Sequence, residues 1–394
     1  MSDPDFYRIR RLPPYVFAEV NAMKAAARAR GEDIVDLGMG NPDGAPPAHV
    51  IDKLAEVARD PRAHRYSASK GIAGLRKAQA GYYARRFGVE LDPDSEVIVT
   101  LGSKEGLANL ALAITAPGDV VLAPNPSYPI HTFGFIIAGA AIRSIPAAPG
   151  PDFFDILDRA VRYTVPQPKV LVIGYPSNPT AYVADLAFYE KVVAFARAHG
   201  LWVISDLAYA EIYFGAEPTP SILQVPGAKE VAVEFTSMSK TYSMAGWRIG
   251  FAVGNASLIG ALGRVKSYLD YGAFTPIQAA AVAALNGPQD IVAANRALYK
   301  ARRDVLVECF GRAGWAIPPP PASMFAWAPI PEAFRAMGSM DFAKRLLAEA
   351  GVAVSPGVGF GEEGEGFVRI ALVENEHRIR QAARGVKAFL AKGA

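Results

Sequence analysis

The sequence predicts an α/β protein, with a doubly wound, mainly parallel sheet in a large domain and a second, smaller α/β domain. Three observations carry that prediction. Short apolar runs alternate with helix-length stretches between about residues 95 and 290. Those runs lack the polar alternation of a sheet with one wet face, so helices must cover both faces. Beyond residue 288 the pattern changes to a long charged helix followed by consecutive prolines, Pro318 to Pro321.

The elements follow in order. Val97 to Leu101 and Val120 to Ala123 are the first β-rich runs, and Val170 to Tyr175, Leu201 to Ser205 and Val231 to Thr236 continue the series. Their β-branched and aromatic side chains suit a pleated, buried surface. Ile249 to Val253 is a further apolar stretch. Between them, Asp185 to Arg197 repeats its apolar positions at helical spacing, and Leu107 to Ile114 reads as a helix opened by the turn Gly102 to Gly106. After residue 288 come a helix from Ile291 to Phe310, the proline break, an apolar strand around Met324 to Ala328 and an α/β tail. The expected large domain is therefore 46–287, with 288–394 in the smaller one.

Composition removes several function classes. The 394 residues are 51% hydrophobic, enough to bury more than one core. Net charge is +3, yet no block of five or more like charges occurs, which argues against a nucleic-acid partner. No segment reaches the roughly 20 apolar residues of a membrane span, and Met1 to Arg11 holds no signal-type stretch. The single cysteine, Cys309, reads as part of a buried helix face and fits a reducing compartment. The five histidines are dispersed without metal-ligand spacing. A soluble, cytoplasmic protein is the expectation.

The run Ser237 to Gly250 is the most informative stretch, because it sets Lys240 between two hydroxyls and follows it with Arg248. An amine can form a Schiff base with an aldehyde, while hydroxyls and a guanidinium suit a phosphate. Pyridoxal 5'-phosphate needs both. The plain alternative is a surface lysine in a polar loop. Four further motifs follow strands, where ligands collect in open parallel sheets. Gly102 to Gly106 offers Ser103 and Lys104 at a helix start, an anion site or an ordinary turn. Asp206 can pair with a pyridine nitrogen or cap a helix, with Tyr209 three residues on. Asn178 lies in a proline-bounded turn and can act as a donor, and Tyr128 can stack on a ring or simply pack. Arg369 lies within a short apolar strand, where a guanidinium is costly to bury unless an anion pairs with it, whether substrate carboxylate or structural partner.

Taken together, in this order, these motifs resemble the class I/II pyridoxal-phosphate aminotransferases of fold type I, from Asp36 to the C-terminus. The resemblance implies an enzyme moving an amino group between an amino acid and a 2-oxo acid, with residues 1–45 joining the smaller domain. It implies that Lys240 carries the cofactor and shuttles a proton, that Asp206 pairs with the pyridinium, and that Tyr209 and Asn178 contact the phenolic oxygen. It further implies that Tyr128 stacks, and that Ser103, Lys104, Ser237, Ser239 and Arg248 hold the phosphate. Tyr66 matches a tyrosine sent across a homodimer interface to the partner's phosphate. Arg369 matches the α-carboxylate arginine, with Gly40 and Asn178 beside it, and Tyr15 resembles an aromatic that closes the site in the alanine and LL-diaminopimelate branches. Several segments, among them Ser355 to Gly361, are most similar to the bacterial glutamate–pyruvate (alanine) branch. No second carboxylate-binding arginine is assignable by motif. An aspartate or LL-diaminopimelate aminotransferase, or a lyase on the same fold, shares the cofactor residues. A transcription regulator is expected to carry a DNA-binding head, for which the residues before Asp36 are too few, and a silent binding module is expected to lose Lys240 or Asp206.

Overall fold

The computed structural model describes residues 6–14 and 16–392, so Tyr15 lies outside the described residues. Its central sheet has seven strands, in the order Val97–Thr100, Gly250–Gly254, Ala232–Ser237, Trp202–Asp206, Val170–Gly174, Val120–Asn125 and Ala141–Pro146. Only Gly250–Gly254 runs antiparallel to its neighbours. Alternate residues feed two different cores: Leu171 and Ile173 lie in one cluster, Val170 and Val172 in the other. That alternation between two dry faces is why the strands read as continuous apolar runs. The edge strand Ala141–Pro146 is missing from the sequence expectation. Its residues Arg143 and Ser144 are exposed, so it carries the polar signal of an edge rather than of a buried strand.

Helices pack on both faces, and their ends follow local chemistry. The helix Leu186–His199 begins where the Asp185 carboxylate accepts from the Phe188 N–H, satisfying a donor the first turn leaves open, and ends at Gly200 in the left-handed region. The helix Ser103–Ile114 starts four residues earlier than expected. There the Glu105 carboxylate reaches back to the Leu101 N–H at 2.8 Å, holding the first turn closed.

A second core surrounds an antiparallel sheet in the order Ser355–Pro356, Phe367–Ala371 and Phe325–Pro329. The N-terminal segment adds to it: Val35–Asp36 pairs in parallel with Val352–Ala353, and the Ala371 N–H donates to the Leu37 carbonyl at 2.7 Å. Asp43 is held by both Nη atoms of buried Arg302, at 2.8 and 2.6 Å. This fixes the turn that carries Gly40 and Asn41 over the sheet edge. The helix Asp290–Arg312 carries Cys309, which is half-buried rather than buried as the sequence suggested; the long helix turns that side chain toward the margin of its packed face.

Candidate active site

The strand directions bring the chemistry to one edge. The parallel strands end there, and the antiparallel strand Gly250–Gly254 begins there, with Gly250 registered against both Thr100 and Ser237. Residues just beyond Thr100, Asn125, Gly174, Asp206 and Ser237, and just before Gly250, therefore meet. A cavity of about 530 Å3 opens at this edge and is closed from the other side by Gly40, Ser355, Phe360 and Arg369 of the smaller sheet and N-terminal segment. Ser103, Lys104, Tyr128, Asn178, Tyr209 and Lys240 all line it, as do Asp206, Ser237, Ser239 and Arg248.

Lys240 sits in the single helical turn Met238–Thr241, capped by the Ser237 hydroxyl accepting from the Ser239 N–H at 3.1 Å. Its Nζ donates to the Gly40 carbonyl at 2.7 Å. Desolvation first, and then the nearby positive charges of Arg369 and Arg248, lower the Lys240 ammonium pKa to about 8. At one end of the cavity the helix Ser103–Ile114 presents its N-terminus behind Gly102, whose φ of 85° suits glycine. The Arg248 backbone is left-handed at φ 56°, an uncommon state for a side-chain-bearing residue, and its guanidinium donates to the Ala245 carbonyl at 2.8 Å and the Leu101 carbonyl at 3.4 Å. A Cβ on Gly250 would sit 2.5 Å from the Ser103 N, so only glycine lets the strand pass this close to the helix start.

At the far end Asp206 accepts from the Ala208 N–H at 3.1 Å, and its other oxygen lies 2.8 Å from His131 Nε2. His131 is buried and was not among the sequence candidates, since it lies 75 residues from its partner and no local spacing marks it. A Cβ on Gly174 would come within 3.0 Å of the His131 ring, so that glycine makes its room. The Tyr209 ring packs against Phe325 at 5.6 Å, and desolvation pushes its phenol well above the usual value, keeping it a hydrogen-bond donor. The Lys104 Nζ lies 5.9 Å from the Tyr128 ring centre.

Arg369 is 7% exposed. It donates to Asn178 Oδ1 at 2.8 Å and to the Gly38 carbonyl at 3.0 Å, with the Ser355 hydroxyl at 3.4 Å. Gly40 backs onto Phe325, where a Cβ would be 2.5 Å from the ring. Phe17, Phe325 and Phe360 also line the cavity and were missed, because aromatic residues in separate apolar segments read simply as core. Tyr66 does not join this cavity: it is 85% exposed and lies against Tyr271, 4.6 Å between ring centres.

The donor set matches the three functions of pyridoxal 5'-phosphate: an amine for its aldehyde, helix N–H groups with a guanidinium for its phosphate, and a held carboxylate for its ring nitrogen. The residues fit that cofactor. Among the described residues no cluster of His, Cys, Asp or Glu could hold a metal, and no helix is long and apolar enough to cross a membrane.

Comparison with known proteins agrees with this geometry. Residues 32–386 match the family described as aminotransferase class I and II. The chain is 66% identical to a putative aminotransferase of Rhizobium meliloti (strain 1021), over 98% of this chain and 95% of that one. It is 58% identical to the glutamate-pyruvate aminotransferase of Escherichia coli (strain K12), over 98% and 93%. The substrate-bound structure of BacF from Bacillus subtilis superposes with a TM-score of 0.91 at 32% identity, covering 98% of each chain.

Proposed function

The chain belongs to the aminotransferases of class I and II, enzymes of fold type I that use pyridoxal 5'-phosphate, and from that premise we propose that it exchanges amino groups between alanine and 2-oxoglutarate, and between glutamate and pyruvate in reverse. The chemistry that the bound cofactor supplies is an aldehyde to take the amino group and a ring to spread the charge left at the substrate α-carbon. Everything else is done by side chains of this protein.

Lys240 would hold the cofactor, and its Nζ would carry a proton. With its pKa at about 8, roughly a tenth of the amine is neutral at pH 7, against under a thousandth for an ordinary lysine. A neutral amine is both the nucleophile for a carbonyl and the base for a proton. Asp206, oriented by the Ala208 N–H and His131, would pair with the ring nitrogen. Tyr209 and Asn178 would hold the phenolic oxygen, and Tyr128 would cover the ring. The backbone groups of Ser103 and Lys104, with Ser237, Ser239 and Arg248, would hold the phosphate, whose dianion suits a helix N-terminus and a guanidinium. Arg369 takes the α-carboxylate with its planar fork, while Asn178 and Gly38 keep that fork in place and Gly40 lets the chain pass close by.

The observation that carries the substrate assignment is the count of cations at the cavity. Its guanidinium groups among the described residues are Arg248 and Arg369, the first committed to phosphate and the second to the α-carboxylate. Among the described residues of one chain, no further guanidinium lines the cavity to select aspartate. The Lys104 ammonium, a more flexible point charge, is left for the distal carboxylate of glutamate and 2-oxoglutarate. The similarity to a glutamate-pyruvate aminotransferase supports the same choice.

The working form is a cytoplasmic homodimer. Tyr66, Tyr268, Leu269 and Tyr271 are 85%, 88%, 60% and 63% exposed, on two segments tied by the Ser69 hydroxyl donating to the Asp270 carbonyl. An aromatic surface of this kind calls for a cover, and a second copy would receive Tyr66 at its own phosphate. The division into 46–287 and 1–45 with 288–394, supported by separate cores, lets the smaller part close over substrate. A stopped-flow half-reaction screen tests the substrate reading. Purified holoenzyme mixed with alanine, glutamate, aspartate or LL-diaminopimelate should lose its bound-cofactor absorbance fastest, per unit concentration, with alanine or glutamate. Faster conversion by aspartate or LL-diaminopimelate would replace the alanine assignment with one of those neighbours.

A further inference from the structure

The Arg369 guanidinium is held as much by rings as by hydrogen bonds. Its Cζ lies 4.0 Å from the Phe325 ring centre and 4.7 Å from that of Phe360. Both distances are well inside the range in which a cation is attracted to the negative face of an aromatic ring. The polar partners Asn178, Gly38 and Ser355 are neutral, and so are the two rings, so these contacts orient the cation without adding negative charge.

Phe360 differs from Phe325 in what else it touches. It closes the short turn Gly357–Phe360 and is 5% exposed. Its ring meets Phe17 of the N-terminal segment edge-on, 5.4 Å between centres at 61°, and meets Trp327 at 6.0 Å and 87°. Trp327 lies directly opposite Arg369 in the strand register. The Phe360 carbonyl accepts from the Ser127 N–H at 2.8 Å, on the loop that follows the large-sheet strand Val120–Asn125 and leads into Tyr128. Three residues on, the Glu363 N–H donates to Asn125 Oδ1 at 3.3 Å. One residue thus joins the arginine, the N-terminal segment and the edge of the large sheet.

We infer that Phe360 is a positioning residue for carboxylate capture: it fixes the plane of the Arg369 fork and registers it against the large sheet and Phe17. The inference rests on the reading of Arg369 as the α-carboxylate group. A carboxylate binds bidentately only if that plane is right, so loss of the ring should weaken every carboxylate bound there and leave the chemistry on the cofactor largely untouched.

The test uses holoenzyme with Phe360→Leu, Phe360→Tyr and Arg369→Lys. KM and kcat are measured for alanine, glutamate, pyruvate and 2-oxoglutarate, together with inhibition by propionate, a carboxylate without an amine. For Phe360→Leu, KM values and the propionate inhibition constant should rise roughly three- to thirtyfold, the span of one desolvated cation–ring contact. Its kcat and bound-cofactor absorbance should stay close to wild type, and Phe360→Tyr, which keeps the ring face, should restore affinity. If Phe360→Leu does not fold, Phe360→Met carries the same comparison. Unchanged propionate inhibition in the Leu or Met variant, alongside weakened inhibition in Arg369→Lys, overturns the positioning role alone. Equal impairment of the Tyr and Leu variants overturns it too, since packing rather than the ring face would then be at work. Wild-type propionate inhibition in Arg369→Lys overturns the reading of Arg369 and this inference with it.

Discussion

Lys240 shows how much a single residue's surroundings decide. Its motif was legible, because a lysine among hydroxyls with an arginine behind it is a rare local pattern, and the same is true of Asp206 at the end of an apolar run. The shift of its pKa was not legible: it comes from a cavity wall and from Arg369 and Arg248, and Arg369 is remote in the chain. The sign of the consequence is clear. A lowered lysine pKa means that the protonated form is disfavoured in the folded protein, a cost fully present below pH 8 and lost between about 8 and the ordinary value of 10.5. The neutral fraction, and with it the rate at which apo-protein captures pyridoxal 5'-phosphate as a Schiff base, should rise about tenfold per pH unit up to about pH 8 and then level off. Stopped-flow absorbance on apo-protein measures that rate. A rate still climbing tenfold per unit at pH 9.5 would show that the cavity leaves the amine unperturbed.

At the scale of elements, the strands were legible and their company was not. Five apolar runs became five strands of the central sheet, shifted by a residue or two, because strands buried on two faces are built mostly of apolar residues. The edge strand Ala141–Pro146 escaped because exposure had restored polar side chains to it. The residues that the sequence reading missed, His131, Phe325 and Phe360, are brought in by strand order and by the packing of one sheet on another, neither of which leaves a local mark. The helix start at Gly102 is where an element most directly makes function. A Cβ there would collide with the Arg248 guanidinium, and φ of 85° would strain any other residue. Gly102→Ala should lower stability by about 1–3 kcal/mol. It should also weaken pyridoxal 5'-phosphate much more than pyridoxal, which lacks the phosphate. Thermal melts and cofactor titrations check this, and an equal loss of affinity for both compounds would move the phosphate away from this helix.

At the scale of the whole molecule, the proposed site depends on a second copy. Sedimentation at micromolar concentration should give a dimer. Tyr66→Phe should leave that dimer intact while weakening cofactor affinity roughly ten- to hundredfold, the scale of one hydrogen bond to a charged group. A monomer with full activity would remove the shared site. One cavity, closed by both sheets, is proposed to do its chemistry through Lys240. Borohydride reduction of the holoenzyme followed by peptide mapping tests it most directly. The reduced cofactor should be found on Lys240, in the segment Ser237 to Arg248, and on no other lysine; recovery of the label on a different lysine would contradict the account.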